Sequence, residues 1–211
     1  AAACGAVPVI TTATDANGLF AVDEWAKKQN CAVWETPRIK FVSGALLAGK
    51  TVRYASPWAI AGTPPAGVAE AEEPSGADFA LTMTPQGNAL HLIPRIGVLG
   101  VGCKRGTTAA QLEAAFAAFC ADTNLAPVGI TAAASIDLKQ NEPGLLGAVP
   151  GTFSASRFVQ GVTGVDNVCE RAAVLASGGT LLLPKYAHTG VTFAAAVRPF
   201  APDWRWKTDE A

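Results

Sequence analysis

The spacing of apolar and polar positions changes repeatedly along the chain, between the two-residue period of a strand and the longer period of a helix. Short apolar runs of β-branched or small residues at 6–12 and 128–134 predict buried strands. Apolar residues that recur every three or four positions over 22–29, 38–47 and 112–120 predict helices. Strands and helices that alternate in this order predict an α/β fold.

Three regions that differ in composition and in apolar periodicity predict the domain organisation. Residues 1–54 alternate strand and helix patterns and predict a partial N-terminal α/β domain. Residues 55–93 are rich in Pro and Gly, and their two short strand-like runs stand in a stretch with little periodic apolar content, which predicts a connecting region. Residues 94–211 return to strands and helices and predict a C-terminal α/β domain. We therefore expect two small α/β domains joined by a Pro/Gly-rich connecting region.

Composition and charge narrow the candidate partners. The 211 residues carry a formal net charge of −1, so the totals indicate neither a nucleic-acid partner nor a membrane surface. No stretch offers the roughly 18 consecutive apolar residues that a membrane helix needs. The five cysteines are scattered, with no Cys-x-x-Cys pair, which predicts a cytoplasmic protein without a disulfide framework or structural zinc site. Because the chain begins at Ala1 without an initiator Met or a signal-peptide pattern, we expect a fragment.

A glycine-rich segment, 100–106, joins the strand predicted at 96–100 to the helix that follows Thr107. Backbone N–H groups at a helix N-terminus attract carboxylates and phosphates. Lys104 and Arg105 add positive charge beside that helix start. The sequence therefore indicates an anion-receptive loop.

Other interpretations of this loop remain open. Its glycines can simply form a tight turn between strand and helix. A nucleotide site is a weaker alternative, because the spacing Gly-x-Gly-x-x-x-Gly is one residue too long for the dinucleotide fingerprint and the P-loop ending is missing. Cys103 is a candidate nucleophile beside the cations, or else a small buried residue in the turn.

Two further clusters of polar residues stand next to predicted elements. The segment 135–142 follows the strand predicted at 128–134 and holds a serine, two carboxylates and a lysine. Open α/β sheets collect ligand-binding groups at such strand ends, although a solvated loop has the same composition. A third cluster, 161–171, opens a predicted helix that includes Glu170. Near the C-terminus, Trp204 is interpreted as a packing residue rather than a ring-stacking platform.

These segments together resemble one known family. The segments 100–106, 135–139 with Glu142, 168–173, and Lys185 before 191–192 are similar to the C-terminal domain of the CbiG family. Residues 8–15 and 20–26 resemble the later part of that family's N-terminal domain. The family is the cobalt-precorrin-5A hydrolase of anaerobic cobalamin biosynthesis.

The resemblance implies a hydrolase that opens the δ-lactone of cobalt-precorrin-5A and releases a two-carbon fragment as acetaldehyde, which gives cobalt-precorrin-5B. The implied partner is this cobalt-tetrapyrrole substrate, with neighbouring cobalamin-pathway enzymes and a homodimer as further candidates. No resident cofactor or protein-bound metal is implied, because the substrate carries the cobalt.

The chemistry suggests roles for individual residues. A base must activate water, donors must stabilise the lactone oxyanion, and cations must bind the carboxylate arms of the tetrapyrrole. The candidate catalytic residues are Glu142, Glu170, Asp137 and Lys139. The candidate substrate-binding residues are Gly100, Gly102, Cys103, Lys104, Arg105, Gly106, Thr107, Ser135, Thr11, Thr12, Thr14, Asp15 and Lys185.

Two departures from the family pattern keep alternatives open. From the family pattern we expect this chain to lack the upstream half of the N-terminal domain and to be short at 147–153, where the pattern predicts a further strand and helix. One alternative is a non-catalytic module that binds or carries corrinoid intermediates, since a similar C-terminal domain occurs alone in the aerobic cobalamin pathway. The other is the nucleotide-binding domain considered above.

Overall fold

A computed structural model describes residues 18–104, 106–135 and 168–206. The chain divides into two compact units. The first combines residues 1–81, 87–92 and 202–211, and the second combines residues 82–86 and 93–201. The strand predicted at 6–12 and most of the segment 135–142 lie outside the described residues. No helix in the described part of the chain is long and apolar enough to cross a membrane.

The first unit is built on a five-stranded sheet in the order β1-β5-β4-β2-β3. Strand β2 pairs in parallel with both β3 and β4, and β4 pairs in parallel with β5. Parallel neighbours of this kind are characteristic of an α/β fold, so the predicted fold class is confirmed. The elements are α1 (Val22–Lys28), β1 (Cys31–Val33), α2 (Ile39–Leu47), β2 (Val52–Ala55), β3 (Val68–Glu70), β4 (Phe79–Leu81) and β5 (Leu90–Pro94).

Helix α2 shows how local signals set the bounds of an element. A 3₁₀ turn at Thr36–Arg38, with its proline at the start, leads directly into the helix. Gly49, just past the end, has a φ of 70°, which glycine adopts without strain. No side chain caps the turn. The Glu35 carboxylate, directly before the turn, instead lies 3.0 Å from Nδ1 of His91 and accepts that residue's backbone N–H.

Residues 55–93, which we expected to be a connecting region, contribute three of the five strands of this sheet, β3, β4 and β5. The two strand-like runs expected in this region, 79–84 and 89–93, correspond to β4 and β5. Strand β3 was not predicted, because three residues are too few to show a two-residue period and its hydrogen-bonding partner, β2, lies elsewhere in the chain. Independent folding of residues 94–211 as a domain stays a prediction.

Aromatic side chains form the core of the first unit. The Trp25 ring is fully buried and stacks on Trp204 with ring centroids 4.9 Å apart and planes 15° apart. Phe20 and Phe79 contact the Trp25 ring. The indole N–H of Trp25 donates to the backbone carbonyl of Asp203 at 2.7 Å. The interpretation of Trp204 as a packing residue is therefore confirmed, and the C-terminal segment is part of the first unit.

The C-terminal segment also carries a carboxylate whose charge should matter in acid. Hydrogen bonds from Arg205 lower the pKa of Asp203 from 3.8 to about 2. A carboxyl group with a depressed pKa stabilises the folded state above its unfolded pKa, and this stabilisation is lost as the pH falls through the folded pKa.

We expect the difference in urea midpoint between wild type and Asp203→Asn to be constant above about pH 4 and to shrink as the pH falls toward 2. Unfolding should be followed by circular dichroism between pH 2 and 6. The other carboxylates titrate in both proteins and cancel in the difference. A difference that stays constant down to pH 2 would contradict the assignment.

The second unit contains a four-stranded sheet in the order β7-β6-β9-β8. Strand β6 pairs in parallel with β7 and antiparallel with β9, and β9 pairs antiparallel with β8. A parallel pair next to antiparallel strands makes this a mixed sheet. The elements are β6 (Gly97–Cys103), α3 (Ala109–Thr123), β7 (Ile130–Ala134), α4 (Val168–Ser177), β8 (Thr180–His188) and β9 (Val191–Val197).

The two helices of this unit cover opposite faces of the sheet. Phe119 of α3 packs against Phe193 of β9, with ring centroids 5.7 Å apart. Ala172 of α4 packs instead with Val98 of β6. Ala196, the strand partner of Val98, faces the same side of the sheet as Val98. It lies three residues from Phe193 along β9, so Val98 and Phe193 face opposite sides. The central strands β6 and β9 are therefore buried between α3 and α4.

The helix that was predicted to follow Thr107 is confirmed, because α3 begins at Ala109 with Thr108 as its N-cap. The Thr108 hydroxyl accepts from the backbone N–H of Gln111, and the Gln111 side chain accepts from the backbone N–H of Thr108. This reciprocal capping box satisfies donors that the helix would otherwise leave without partners. The helix ends at Asn124 in the left-handed conformation, with a φ of 54°.

The strand patterns at 181–183 and 191–197 predict a loop between them that contains Lys185 and His188. This prediction was wrong, because β8 runs through both residues to His188. The actual turn consists of Thr189 and Gly190, with φ values of 47° and 85°. Two residues with positive φ suit a tight hairpin. The strand accommodates Pro184 because it lies at an edge of the described sheet and contains irregularities in its pairing.

Candidate functional site

The glycines that were expected to start a loop lie inside β6. This strand extends to Cys103 and pairs with β9 along its whole length. Gly100 has a strand partner on each side, and Gly102 pairs with Thr192. The prediction that the loop begins at Gly100 was therefore wrong, and the connection to α3 begins at Lys104. The nucleotide-binding alternative depended on these glycines forming a loop, and they belong instead to a paired strand.

Gly100 is needed for contact between the sheet and α4. A Cβ at this position would overlap the carbonyl oxygen of Cys169 and would lie 2.7 Å from its carbonyl carbon. It would also lie 3.0 Å from the Cβ of Ala173. These neighbours belong to the helix itself and cannot rotate away. A glycine inside a strand often marks such a close backbone approach, and here it seats the first turns of α4 directly on β6.

Gly102 has a different neighbour, the side chain of Thr192. A Cβ at Gly102 would lie 2.5 Å from the Thr192 hydroxyl oxygen. That hydroxyl donates to the Gly102 carbonyl at 3.3 Å and also makes a hydrogen bond with the buried Cys169 thiol. Burial raises the pKa of the Cys169 thiol, and the Thr192 hydrogen bond acts in the opposite direction. Thr192 thus links β6, β9 and the start of α4.

Glu170 follows Cys169 in the first turn of α4. Its Oε1 accepts the backbone N–H of Lys185 in β8 at 2.7 Å. The Lys185 side chain is exposed. Glu170 and Lys185, two residues that the sequence indicated separately, are therefore neighbours in the folded chain.

Ser135 lies at the end of β7, where the segment 135–142 begins. Its hydroxyl donates to the carbonyl of Val101 at 2.7 Å. The last Cα pair between these strands joins Gly100 and Ala134. Ser135 therefore continues the contact between β6 and β7 beyond the last strand pair.

The connection from β6 to α3 is organised around the carbonyl of Lys104. The backbone N–H and the hydroxyl of Thr107 both donate to this carbonyl, at 3.3 and 2.8 Å. Gly106 has a φ of 77°, which favours glycine. The Lys104 methylene groups lie against Gly190 in the hairpin between β8 and β9. Hydrogen bonding and packing thus order this short connection.

Cys103 is the last residue of β6 and pairs with Val191. Six positions separate it from the start of α3, so it is not part of the helix N-terminus that we expected. It alternates with Gly102 along the strand and therefore faces away from the Cys169 side. Among the described residues, no three His, Cys, Asp or Glu side chains come together as a candidate metal site.

A continuous set of contacts therefore connects four of the predicted site residues, Gly100, Gly102, Glu170 and Lys185. Cys169 and Thr192 complete the set, and the sequence reasoning had not assigned either to the site. The available signal was a pair of glycines two positions apart that directly continues the strand predicted at 96–100, because glycines in a strand favour close packing by a neighbour. The predicted site residues outside the described part of the chain are Thr11, Thr12, Thr14, Asp15, Arg105, Asp137, Lys139 and Glu142.

Comparison with known proteins gives consistent matches. A family model described as Cobalamin synthesis G C-terminus matches residues 97–152 and 146–196. Cobalt-precorrin-5A hydrolase of Priestia megaterium is 28% identical over 95% of this chain and 64% of the relative. Cobalt-precorrin-5A hydrolase of Salmonella typhimurium is 30% identical over 92% of this chain and 64% of the relative. The chain thus spans less than two thirds of the length of these two relatives.

Protein CobE of Sinorhizobium sp is a third relative, 31% identical over 47% of this chain and 78% of CobE. The family-model match falls on the second unit, on the segments that carry the glycines of β6 and the start of α4. These sequence matches show that the chain belongs to the CbiG family of cobalamin-synthesis proteins.

Proposed function

We propose that this protein is a cobalt-precorrin-5A hydrolase, which opens the δ-lactone of its substrate and releases acetaldehyde to give cobalt-precorrin-5B. The observation that carries the proposal is its identity of 28% and 30%, over nearly the whole chain, with two relatives named for that activity. The activity of a chain that spans 64% of those relatives is part of the proposal.

The reaction sets clear chemical requirements. Water adds to the lactone carbonyl, and the ester C–O bond breaks so that its electron pair becomes an alkoxide. The alkoxide then forms the carbonyl of acetaldehyde as the adjacent C–C bond breaks, and the tetrapyrrole keeps that electron pair. The protein must take a proton from water, stabilise an oxyanion and hold a substrate with many carboxylate arms.

The candidate residues can be matched to these requirements. Asp137 and Glu142 are candidate bases, and Lys139 is a candidate donor to the oxyanion. All three follow Ser135 in the chain. The candidate residues for binding substrate carboxylates are Lys104, Arg105 and Lys185, together with Thr11, Thr12, Thr14 and Asp15 near the N-terminus.

The proposal also covers the cofactor requirement, the cellular location and the partners of the protein. Cobalt enters as part of the substrate, so no resident cofactor is required. The scattered cysteines favour the cytoplasm. Enzymes that supply cobalt-precorrin-5A or consume cobalt-precorrin-5B are the natural neighbours, and a homodimer is the candidate assembly.

The proposal is tested by anaerobic incubation of the purified chain with cobalt-precorrin-5A. We expect one acetaldehyde for each substrate consumed, together with a change in the visible spectrum of the tetrapyrrole. Acetaldehyde can be measured with an alcohol dehydrogenase and NADH. A spectral change on binding without acetaldehyde would refute the hydrolase and leave the corrinoid carrier. If no interaction with the tetrapyrrole is detected, both assignments fail.

A further inference from the structure

Strand β8 contains a bulge next to Lys185. Leu183 pairs with Ala195 of β9, and the next pair joins Tyr186 to Phe193. Two residues of β8, Pro184 and Lys185, therefore stand opposite a single residue of β9. A bulge takes the extra residue out of the regular ladder and changes the direction of its side chain.

Glu170 provides the hydrogen-bond acceptor at this bulge. Pro184 has no N–H to donate, and the N–H of Lys185 donates to Oε1 of Glu170 at 2.7 Å. A carboxylate is a strong acceptor for a main-chain N–H, so this contact stabilises the irregular backbone. Glu170 thus holds the segment that carries the exposed Lys185 side chain.

The position of Glu170 is itself closely determined. Its neighbour Cys169 is buried, and the Cys169 carbonyl occupies the space that a Cβ on Gly100 would fill. The Thr192 hydroxyl makes a hydrogen bond with the Cys169 thiol. The first turn of α4 is therefore attached to both β6 and β9, and Glu170 extends from this attached turn to β8.

We propose that Glu170 is a positioning residue, whose carboxylate holds the β8 bulge so that the Lys185 ammonium group binds a carboxylate arm of the tetrapyrrole. This inference rests on the proposed function and replaces the earlier candidate role of Glu170 as the base. A lysine provides the charge-assisted hydrogen bond that a substrate carboxylate needs, and the bulge sets where that charge lies. The chemical step then falls to other residues.

Four variants separate positioning from base catalysis: Glu170→Gln, Glu170→Ala, Lys185→Met and the double variant Glu170→Ala with Lys185→Met. Glutamine keeps the side-chain carbonyl oxygen that accepts the Lys185 N–H, whereas alanine removes it. We expect Glu170→Ala and Lys185→Met each to raise KM for cobalt-precorrin-5A roughly tenfold with little change in kcat, as for loss of one charge-assisted hydrogen bond. Glu170→Gln should restore KM to within about threefold of wild type.

The double variant tests whether Glu170 acts through Lys185. Its KM should be close to that of Lys185→Met alone, because removing the positioning residue has no further effect once the positioned group is gone. If Glu170→Gln lowers kcat by about a hundredfold at unchanged KM, as expected for loss of a general base, the positioning role is refuted. An unchanged KM in Lys185→Met would equally overturn the inference.

Two measurements keep this inference distinct from the proposed function. Amide hydrogen exchange at Lys185 should be slow in wild type and Glu170→Gln and faster in Glu170→Ala, whether or not the chain turns over substrate. If wild type releases no acetaldehyde, the hydrolase proposal fails, and the role of Lys185 is then measured by spectroscopic titration with cobalt-precorrin-5A. Equal amide exchange rates at Lys185 in wild type and Glu170→Ala would overturn the positioning role of Glu170. Equal affinity for cobalt-precorrin-5A in wild type and Lys185→Met would overturn it as well.

Discussion

Gly100→Ala is expected to destabilise the second unit by about 3 kcal/mol, near the upper end of typical overpacking costs. The added Cβ would overlap the carbonyl oxygen of Cys169 and approach its carbonyl carbon to 2.7 Å. These atoms belong to the backbone of α4, so the helix would have to move away from β6. Such a movement would open the contact between Val98 and Ala172 and shift Glu170 from the β8 bulge.

Two matched glycine variants provide the controls for this prediction. Gly106→Ala places the same methyl group in open space but at a φ of 77°, so it should cost about 1 kcal/mol from backbone strain alone. Gly44→Ala lies within α2 with no atom near the added Cβ, and it should stabilise the first unit by about 0.5–1 kcal/mol. Urea unfolding followed by far-ultraviolet circular dichroism measures all three. If Gly100→Ala lowered the free energy of unfolding by no more than Gly106→Ala does, α4 would not be packed directly on Gly100.

Trp25→Ala is expected to destabilise the first unit by about 4 kcal/mol, because it removes a large, fully buried aromatic side chain. The stack on Trp204, the contacts with Phe20 and Phe79, and the hydrogen bond to the Asp203 carbonyl would all be lost. The carbonyl would lose its indole donor, and the C-terminal segment would lose its main aromatic partner.

Two tryptophan-site controls separate packing from hydrogen bonding and from surface effects. Trp25→Phe keeps an aromatic ring but removes the N–H donor, so we expect a loss of about 1–2 kcal/mol plus some repacking. Trp34→Ala removes the same side chain from a position that is 43% exposed and should cost less than about 1 kcal/mol. Circular dichroism is preferred to fluorescence because both changes remove a fluorophore. Equal decreases in the free energy of unfolding for Trp25→Ala and Trp34→Ala would refute the placement of Trp25 in the core.

The elements that were predicted correctly carry their signals within a few residues. The capping pair Thr108 and Gln111 starts α3, and proline and Gly49 bracket α2. Such signals act through hydrogen bonds and backbone angles between near neighbours, so the sequence contains them in full. The family resemblance is of the same kind, because it depends on residue identities in order.

The elements that were missed depend on partners far away in the chain. The short strand β3 exists because it pairs with β2. Strand β8 continues past Lys185 because β9 pairs with it on the far side of its bulge. Neither residue composition nor period within such a segment reports on a partner that folding brings from elsewhere.

The candidate site shows the same difference between local signals and contacts that join distant segments. The residues alone established the α/β class, the helix starts and the relationship to the CbiG family, because each of these depends on local spacing or on residue identity. Only the tertiary structure assigned Gly100 and Gly102 to a strand beneath Cys169 and Thr192, and joined Glu170 to the backbone of Lys185. Those contacts depend on how closely two backbones approach, a distance that is set by packing and is not encoded in any one segment.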